Sequence, residues 1–164
     1  MPDIEGGDKM IQGLYEAHLP VSDLDRSIEF YENLGLELAH RSENLAFFWI
    51  QKGKSWLGLW QCEQVHTPYH VSLRHIAFYV EDIKKAKEWL QSIGVELRPF
   101  FEFSPDRQPL VLSNVPHAHA AIYFKDPDGN LLELISPLQI DTADEFPNME
   151  LEKWQKINKG ESSR

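Results

Sequence analysis

The sequence has a single cysteine, Cys62. One thiol excludes an intramolecular disulfide and every zinc pattern built on several cysteines. No apolar run approaches the roughly 20 residues that a membrane-spanning helix needs. Basic residues are few and nowhere clustered: 16 Lys and Arg stand against 26 Asp and Glu, a net charge of −10. A chain with that balance repels phosphate backbones and anionic lipid, so neither nucleic acid nor a membrane is an expected partner. The opening residues, Met1-Pro2-Asp3-Ile4-Glu5, are too acidic and polar for a secretory signal. The expectation is a soluble, cytoplasmic protein. What is present is globular in kind: 42% of the 164 residues are hydrophobic and 12% aromatic, enough for one domain or two small modules to bury a core.

The chain contains an internal repeat. Val21 to Leu38 reads VSDLDRSIEFYENLGLEL, and Val80 to Leu97 reads VEDIKKAKEWLQSIGVEL. The segments align without a gap at an offset of 59, with six identities: Val21/Val80, Asp23/Asp82, Glu29/Glu88, Gly35/Gly94, Glu37/Glu96 and Leu38/Leu97. Each reads as an amphipathic helix. In the first, Ser22 with Asp25 makes a capping-box pattern and Asp23 adds negative charge at the N-terminus; Leu24, Ile28 and Tyr31 follow helical spacing, and Gly35 supplies the stop. In the second, Asp82 or Glu81 starts the helix, Ile83, Ala86, Leu90 and Ile93 form the stripe, and Gly94 ends it.

A strand-like run precedes each helix, at 13–20 and 71–80. Short β-rich segments follow: 36–41, 45–51 and 55–62 in the first half; 95–103, 118–124 and 130–136 in the second, with a turn at Asp126-Pro127-Asp128-Gly129. The order is βαβββ twice. Residues 1–10 read as a flexible extension, 11–63 as the first module, 64–70 as a linker, 71–138 as the second module, and 139–164 as a polar tail in which Met149, Leu151 and Trp154 mark a short helix. The stretch 104–117, with Pro105, Pro109 and Pro116, reads as an insertion that forms a lid or specificity loop. A sheet does not leave one face bare, so two such modules are expected to pair.

Two segments carry a family resemblance. HLPVSDLDRSIEFYENLGLEL, from His18 to Leu38, resembles the first strand and helix of the vicinal-oxygen-chelate superfamily, which includes glyoxalase I, extradiol dioxygenases and the fosfomycin- and bleomycin-resistance proteins. IYFKDPDGNLLELISP, from Ile122 to Pro137, resembles its last hairpin. The resemblance implies an α+β fold of two paired βαβββ modules forming a cupped mixed sheet, and one divalent metal ion held at its inner face. Tyr123 to Glu133 also fits the latter half of the extradiol-dioxygenase signature. The preceding histidine does not fit, because His117 and His119 stand too close to Tyr123.

The resemblance nominates the ligands. The family's carboxylate, four residues after the hairpin glycine, is Glu133, and its second histidine is His75. A glutamate between Leu132 and Leu134 is costly to bury unless something pairs with it, and its side chain points opposite to both neighbours. The first ligand is open between two residues. The offset of 59 carries His75 onto Glu16, whereas ligand chemistry favours His18; the two share one strand face. A fourth ligand expected near the last strand of the first module falls on Gly58, which has no side chain to offer. Imidazole and carboxylate together suit Zn²⁺, Fe²⁺, Ni²⁺ or Mn²⁺.

The expected activity is that of a metal-dependent lyase or isomerase on a small substrate chelating through adjacent oxygens, with Glu133 or Glu16 as general base. Trp56, Trp60, Phe101, Phe103 and Tyr123, with Arg107, are the expected substrate-binding residues, and a homodimer is the assembly the resemblance implies. Two alternatives stand beside it: an extradiol-type dioxygenase, and a metal-free drug-binding protein like the bleomycin-resistance members. Fosfomycin modification is disfavoured, because 115–123 and 134–142 hold no Arg or Lys to clamp a phosphonate.

Overall fold

A computed structural model describes residues 13–65, 75–100, 102–113, 117–141 and 146–159, with the side chains of residues 117, 139–141 and 159 outside that description. The flexible extension expected at 1–10, most of the 64–70 linker and Phe101 therefore lie outside the described residues. The chain divides into two compact units, Met1–Val65 and His66–Arg164.

The first unit runs β1 (Glu16–Val21), α1 (Leu24–Asn33), β2 (Glu37–Arg41), β3 (Leu45–Gln51) and β4 (Ser55–Gln61). Its sheet has the order β1-β4-β3-β2. β1 lies parallel to β4, and the other pairs are antiparallel. The helix buries Leu24, Ile28 and Tyr31, the residues its spacing selected, against Phe48 and the other inward residues of β3 and β4. Burying each such side chain contributes roughly 1.5–3 kcal/mol.

One expectation at the start of α1 is corrected. The N-cap is Asp23, whose carboxylate accepts from the Arg26 amide at 3.0 Å. Ser22 does not cap, because its hydroxyl is used by the Arg26 guanidinium at 3.1 Å. In the second unit Asp82 takes the same role and accepts from Lys84 N and Lys85 N. Gly35 and Gly94 follow the two helices with φ of 76° and 77°, the left-handed conformation that a side chain disfavours.

The second unit runs β5 (Ile76–Tyr79), α2 (Ile83–Ser92), a 3₁₀ turn at Pro105–Arg107, β6 (Leu110–Leu112), β7 (His117–Lys125), β8 (Leu131–Asp141), β9 (Met149–Glu150) and α3 (Leu151–Lys159). Its sheet order is β5-β8-β7-β6-β9, with β5 parallel to β8. The strand expected over 95–103 does not form as a unit: Leu97 bridges Phe124, and Phe100 bridges Phe103. The pairing with β7 resumes at Leu110, opposite Ala121. While β7 moves three residues, from Phe124 to Ala121, the other chain moves thirteen, from Leu97 to Leu110, so ten residues are looped out. The insertion thus begins earlier than the expected 104–117 and ends where β6 starts, so β6 occupies part of the expected stretch.

The tail helix is α3, preceded by β9, which pairs with β6 at the sheet edge. No helix among the described residues is long and apolar enough to cross a membrane.

Candidate functional site

Glu133 lies in the middle of β8, opposite Ala77 on β5 and Tyr123 on β7. Cross-strand partners share a face, and this face is the one opposite the residues Ile122, Phe124, Leu132 and Leu134, all buried. Glu133 is 2% exposed. A carboxylate that deep requires partners. It has three: His75 Nε2 at 2.9 Å from Oε2, His119 Nε2 at 4.0 Å from Oε1, and a hydrogen bond with the Tyr123 side chain. Neither Lys nor Arg joins them among the described residues.

Tyr123 is itself buried, and its ring stacks on Phe100 with centroids 3.8 Å apart and planes 3° from parallel. Burial pushes its hydroxyl far above the ordinary phenol range, and the hydrogen bond to Glu133 and that group's charge push in the same direction. Tyr123 is therefore a neutral donor at any physiological pH.

In the first unit, Glu16 and His18 stand on the exposed side of β1, with His18 Nε2 3.4 Å from Glu16 Oε1. Each is tied down by a tryptophan of β4: Trp56 Nε1 donates to Glu16 Oε2 at 2.8 Å, and Trp60 Nε1 donates to His18 Nδ1 at 2.7 Å. Because Nδ1 accepts, a neutral ring carries its proton on Nε2, toward Glu16. Gly58 is opposite His18 in register. A Cβ at that position would come within 2.2 Å of His18 Nδ1 and 2.4 Å of Cε1, so the glycine exists to let the imidazole lie across the strand. Around the pair the face is aromatic. Phe47 sits 5.9 Å from His18, and Trp56 has Tyr15, Phe47 and Trp49 within 4.4–5.7 Å.

Most residues singled out from the sequence thus fall into two groups: His75, Glu133 and Tyr123 in the second unit; Glu16, His18, Trp56 and Trp60 in the first. Two others go elsewhere. Phe103 is 4% exposed in a cluster with Leu110, Leu112, Ala121 and Tyr123. Arg107 lies over the Phe103 ring at 4.6 Å and reaches Glu150 through Nε at 2.6 Å and Nη2 at 2.5 Å. A groove of about 480 Å³ beside Arg107, lined by Lys84, Lys87 and Glu150 among others, includes none of the residues around Glu133. Sequence reading missed His119 as a neighbour of Glu133, although His119 and Tyr123 are four apart on one strand and so share a face. It also missed Phe47 and Trp49, which the alternation within 45–51 puts on the side away from the buried Ala46 and Phe48.

Among the described residues, no group of three or more His, Cys, Asp or Glu side chains is gathered closely enough to enclose an ion. The donor chemistry at Glu133 nevertheless fits a divalent cation. A buried carboxylate that has imidazoles and a phenol around it, and no basic side chain, carries a negative charge for a cation to neutralise.

Comparison with known proteins agrees with this architecture. The metallothiol transferase FosB of Staphylococcus saprophyticus is 27% identical over 164 residues, covering 94% of this chain and 99% of that protein. The glutathione transferase FosA of Serratia marcescens is 32% identical over 130 residues, covering 76% of this chain and 81% of that protein. Among solved structures, the genomically encoded fosfomycin resistance protein FosX from Listeria monocytogenes, in its monoclinic form, superposes with a TM-score of 0.59 at 26% identity, covering 79% of this chain and 94% of that one. Residues 13–134 match the family model described as glyoxalase/bleomycin resistance protein/dioxygenase superfamily, and the chain belongs to that superfamily.

Proposed function

We propose that the protein is a divalent-metal-dependent enzyme acting on a small molecule that presents two adjacent oxygens. The observation that carries the reading is Glu133, a carboxylate 2% exposed whose contacts are His75, His119 and Tyr123. His75 and Glu133 are the proposed ligands of the second unit. Glu16 and His18, held by Trp56 and Trp60, are the candidate donors of the first unit. A divalent ion held there supplies Lewis acidity toward the substrate oxygens.

The protein side chains have distinct parts. Glu16, beside His18, is the acceptor for a proton leaving the substrate in a lyase or isomerase reaction. Tyr123, kept neutral, donates to Glu133 and holds its orientation. Trp56 and Trp60 present aromatic surface for the substrate's apolar part. A homodimer belongs to the same reading and is checked by sedimentation.

A second reading, thiol transfer to fosfomycin, is favoured by the names of the relatives. The absence of Arg or Lys among the described contacts of Glu133 weighs against a dianionic substrate. Calorimetric titration of metal-stripped protein with Zn²⁺, Mn²⁺, Fe²⁺ and Ni²⁺ is the test. One ion per chain is expected, with affinity at least about tenfold weaker in Glu133→Ala and in His75→Ala. Absence of binding to the wild type overturns the reading. Consumption of glutathione in the presence of fosfomycin and metal moves the assignment to the transferase.

A further inference from the structure

The looped-out segment between Arg98 and Leu110 leaves a gap in the ladder alongside β7. Arg98 N still donates to Tyr123 O at 2.8 Å, but the reciprocal bond from Tyr123 N to Arg98 O is opened. One side chain fills the gap. Gln108, 2% exposed, accepts from the Tyr123 amide through Oε1 at 2.9 Å and donates from Nε2 to Arg98 O at 2.6 Å. A carboxamide has the donor and acceptor of a peptide group. Here it is inserted between the Tyr123 amide and the Arg98 carbonyl, which bond each other directly in an uninterrupted antiparallel ladder. With both bonds made to main chain, Gln108 is turned away from any chemistry.

What it holds is the phenol of Tyr123. The two residues that its amide joins are Tyr123 itself and Arg98, two positions before Phe100, the ring stacked on Tyr123. One amide therefore fixes both members of the stack. From outside, the loop is clamped to the C-terminal segment: Leu151 N donates to Pro109 O at 2.9 Å, Arg107 grips Glu150, and Lys87 Nζ bonds the Gln108 carbonyl.

We propose that Gln108 is a positioning residue that bridges an opened ladder bond and so sets the Tyr123 hydroxyl on Glu133. The structural part stands on the hydrogen bonds alone; its consequence for metal affinity rests on the function proposed above. The test uses the full chain with ring-labelled tyrosine, the Tyr123 resonance being identified by its loss in Tyr123→Phe. Stacking on Phe100 gives that resonance an upfield displacement in the wild type. Gln108→Met, close in volume but without either bond, is expected to remove at least half of the displacement. Gln108→Glu keeps the acceptor for Tyr123 N and is expected to remove less. If Gln108→Met does not fold, Gln108→Glu decides alone. A folded variant with an unmoved Tyr123 resonance overturns the proposal. In the same samples metal affinity is expected to fall about tenfold, the scale seen for partners that orient a ligand. Metal affinity equal to wild type with a displaced ring overturns the link from Tyr123 to Glu133. A wild type that binds no metal overturns the enzyme reading and leaves the ring-shift result to judge Gln108.

Discussion

On β1 and β4 of the first unit, His18 stands opposite Gly58; on β5 and β8 of the second, Ala77 stands opposite Glu133. The offset of 59 makes His18 and Ala77 the same position of the repeat, and Gly58 and Glu133 occupy the partner position on the parallel strand. Each pair has one large polar side chain and one small residue, with the sides exchanged. The neighbours follow suit, since Phe47 pairs with Gly58 as Tyr123 pairs with Glu133. Two adjacent parallel strands leave room for one large polar group at this point, and the two copies place it on different strands. The duplication conserved the space and redistributed the chemistry.

The largest test of that comparison is Gly58→Ala. Its methyl group overlaps the His18 ring, so destabilisation of about 1–3 kcal/mol is expected in chemical denaturation. His18→Ala in the same chain should restore most of it, since the second unit shows that a small residue at that position tolerates bulk opposite. Additive losses in the two single variants would break the comparison.

Next is the alkaline limb of stability. The Tyr123 pKa is raised by burial in the folded protein, so the neutral phenol's contribution is complete below the ordinary value, about 10. It is lost as pH rises, because the unfolded chain ionises first. The loss is expected to approach about 1.4 kcal/mol per pH unit above that point, and to vanish in Tyr123→Phe. At the matching position of the first unit stands Phe47, which has no hydroxyl.

The helix caps should differ less. Asp82→Ala and Asp23→Ala are each expected to cost about 1 kcal/mol, with Asp82 the larger because it accepts two amides where Asp23 accepts one. Thermal melts of both variants measure the order. The smallest effect belongs to Glu150→Gln. The Glu150 carboxyl lies below the usual range, first through its own backbone amide and then through Arg107. Its contribution is therefore present above about pH 4.3 and fades as pH falls through the lowered value. A variant indistinguishable from wild type at neutral pH and high salt fits an exposed ion pair.

The elements that were legible beforehand share a cause. α1 and α2 are specified by residues within one helix length: an aspartate cap, an apolar stripe and a terminal glycine. β3 was readable because its run of apolar and aromatic residues is local and uninterrupted. Glu133 and His75 were nominated by resemblance, and the structure brings their side chains within 2.9 Å of each other. Ser22 was mistaken for a cap because sequence alone does not show that Arg26 turns back to its hydroxyl. The insertion was placed too late because proline content marks a break in a ladder and not where the ladder resumes.

The sequence by itself determined the repeat, the helix boundaries, the strand alternation and the acidic, cation-poor character of the chain, all of which depend on neighbours within a few residues. Tertiary structure alone decided that Gly58 makes room for an imidazole 40 positions earlier, that Trp56 and Trp60 hold Glu16 and His18, and that Gln108 bridges Tyr123 and Arg98. Those are pairings between distant segments. They are set by register and by which buried polar groups lack a partner, and neither quantity exists until the sheets have formed.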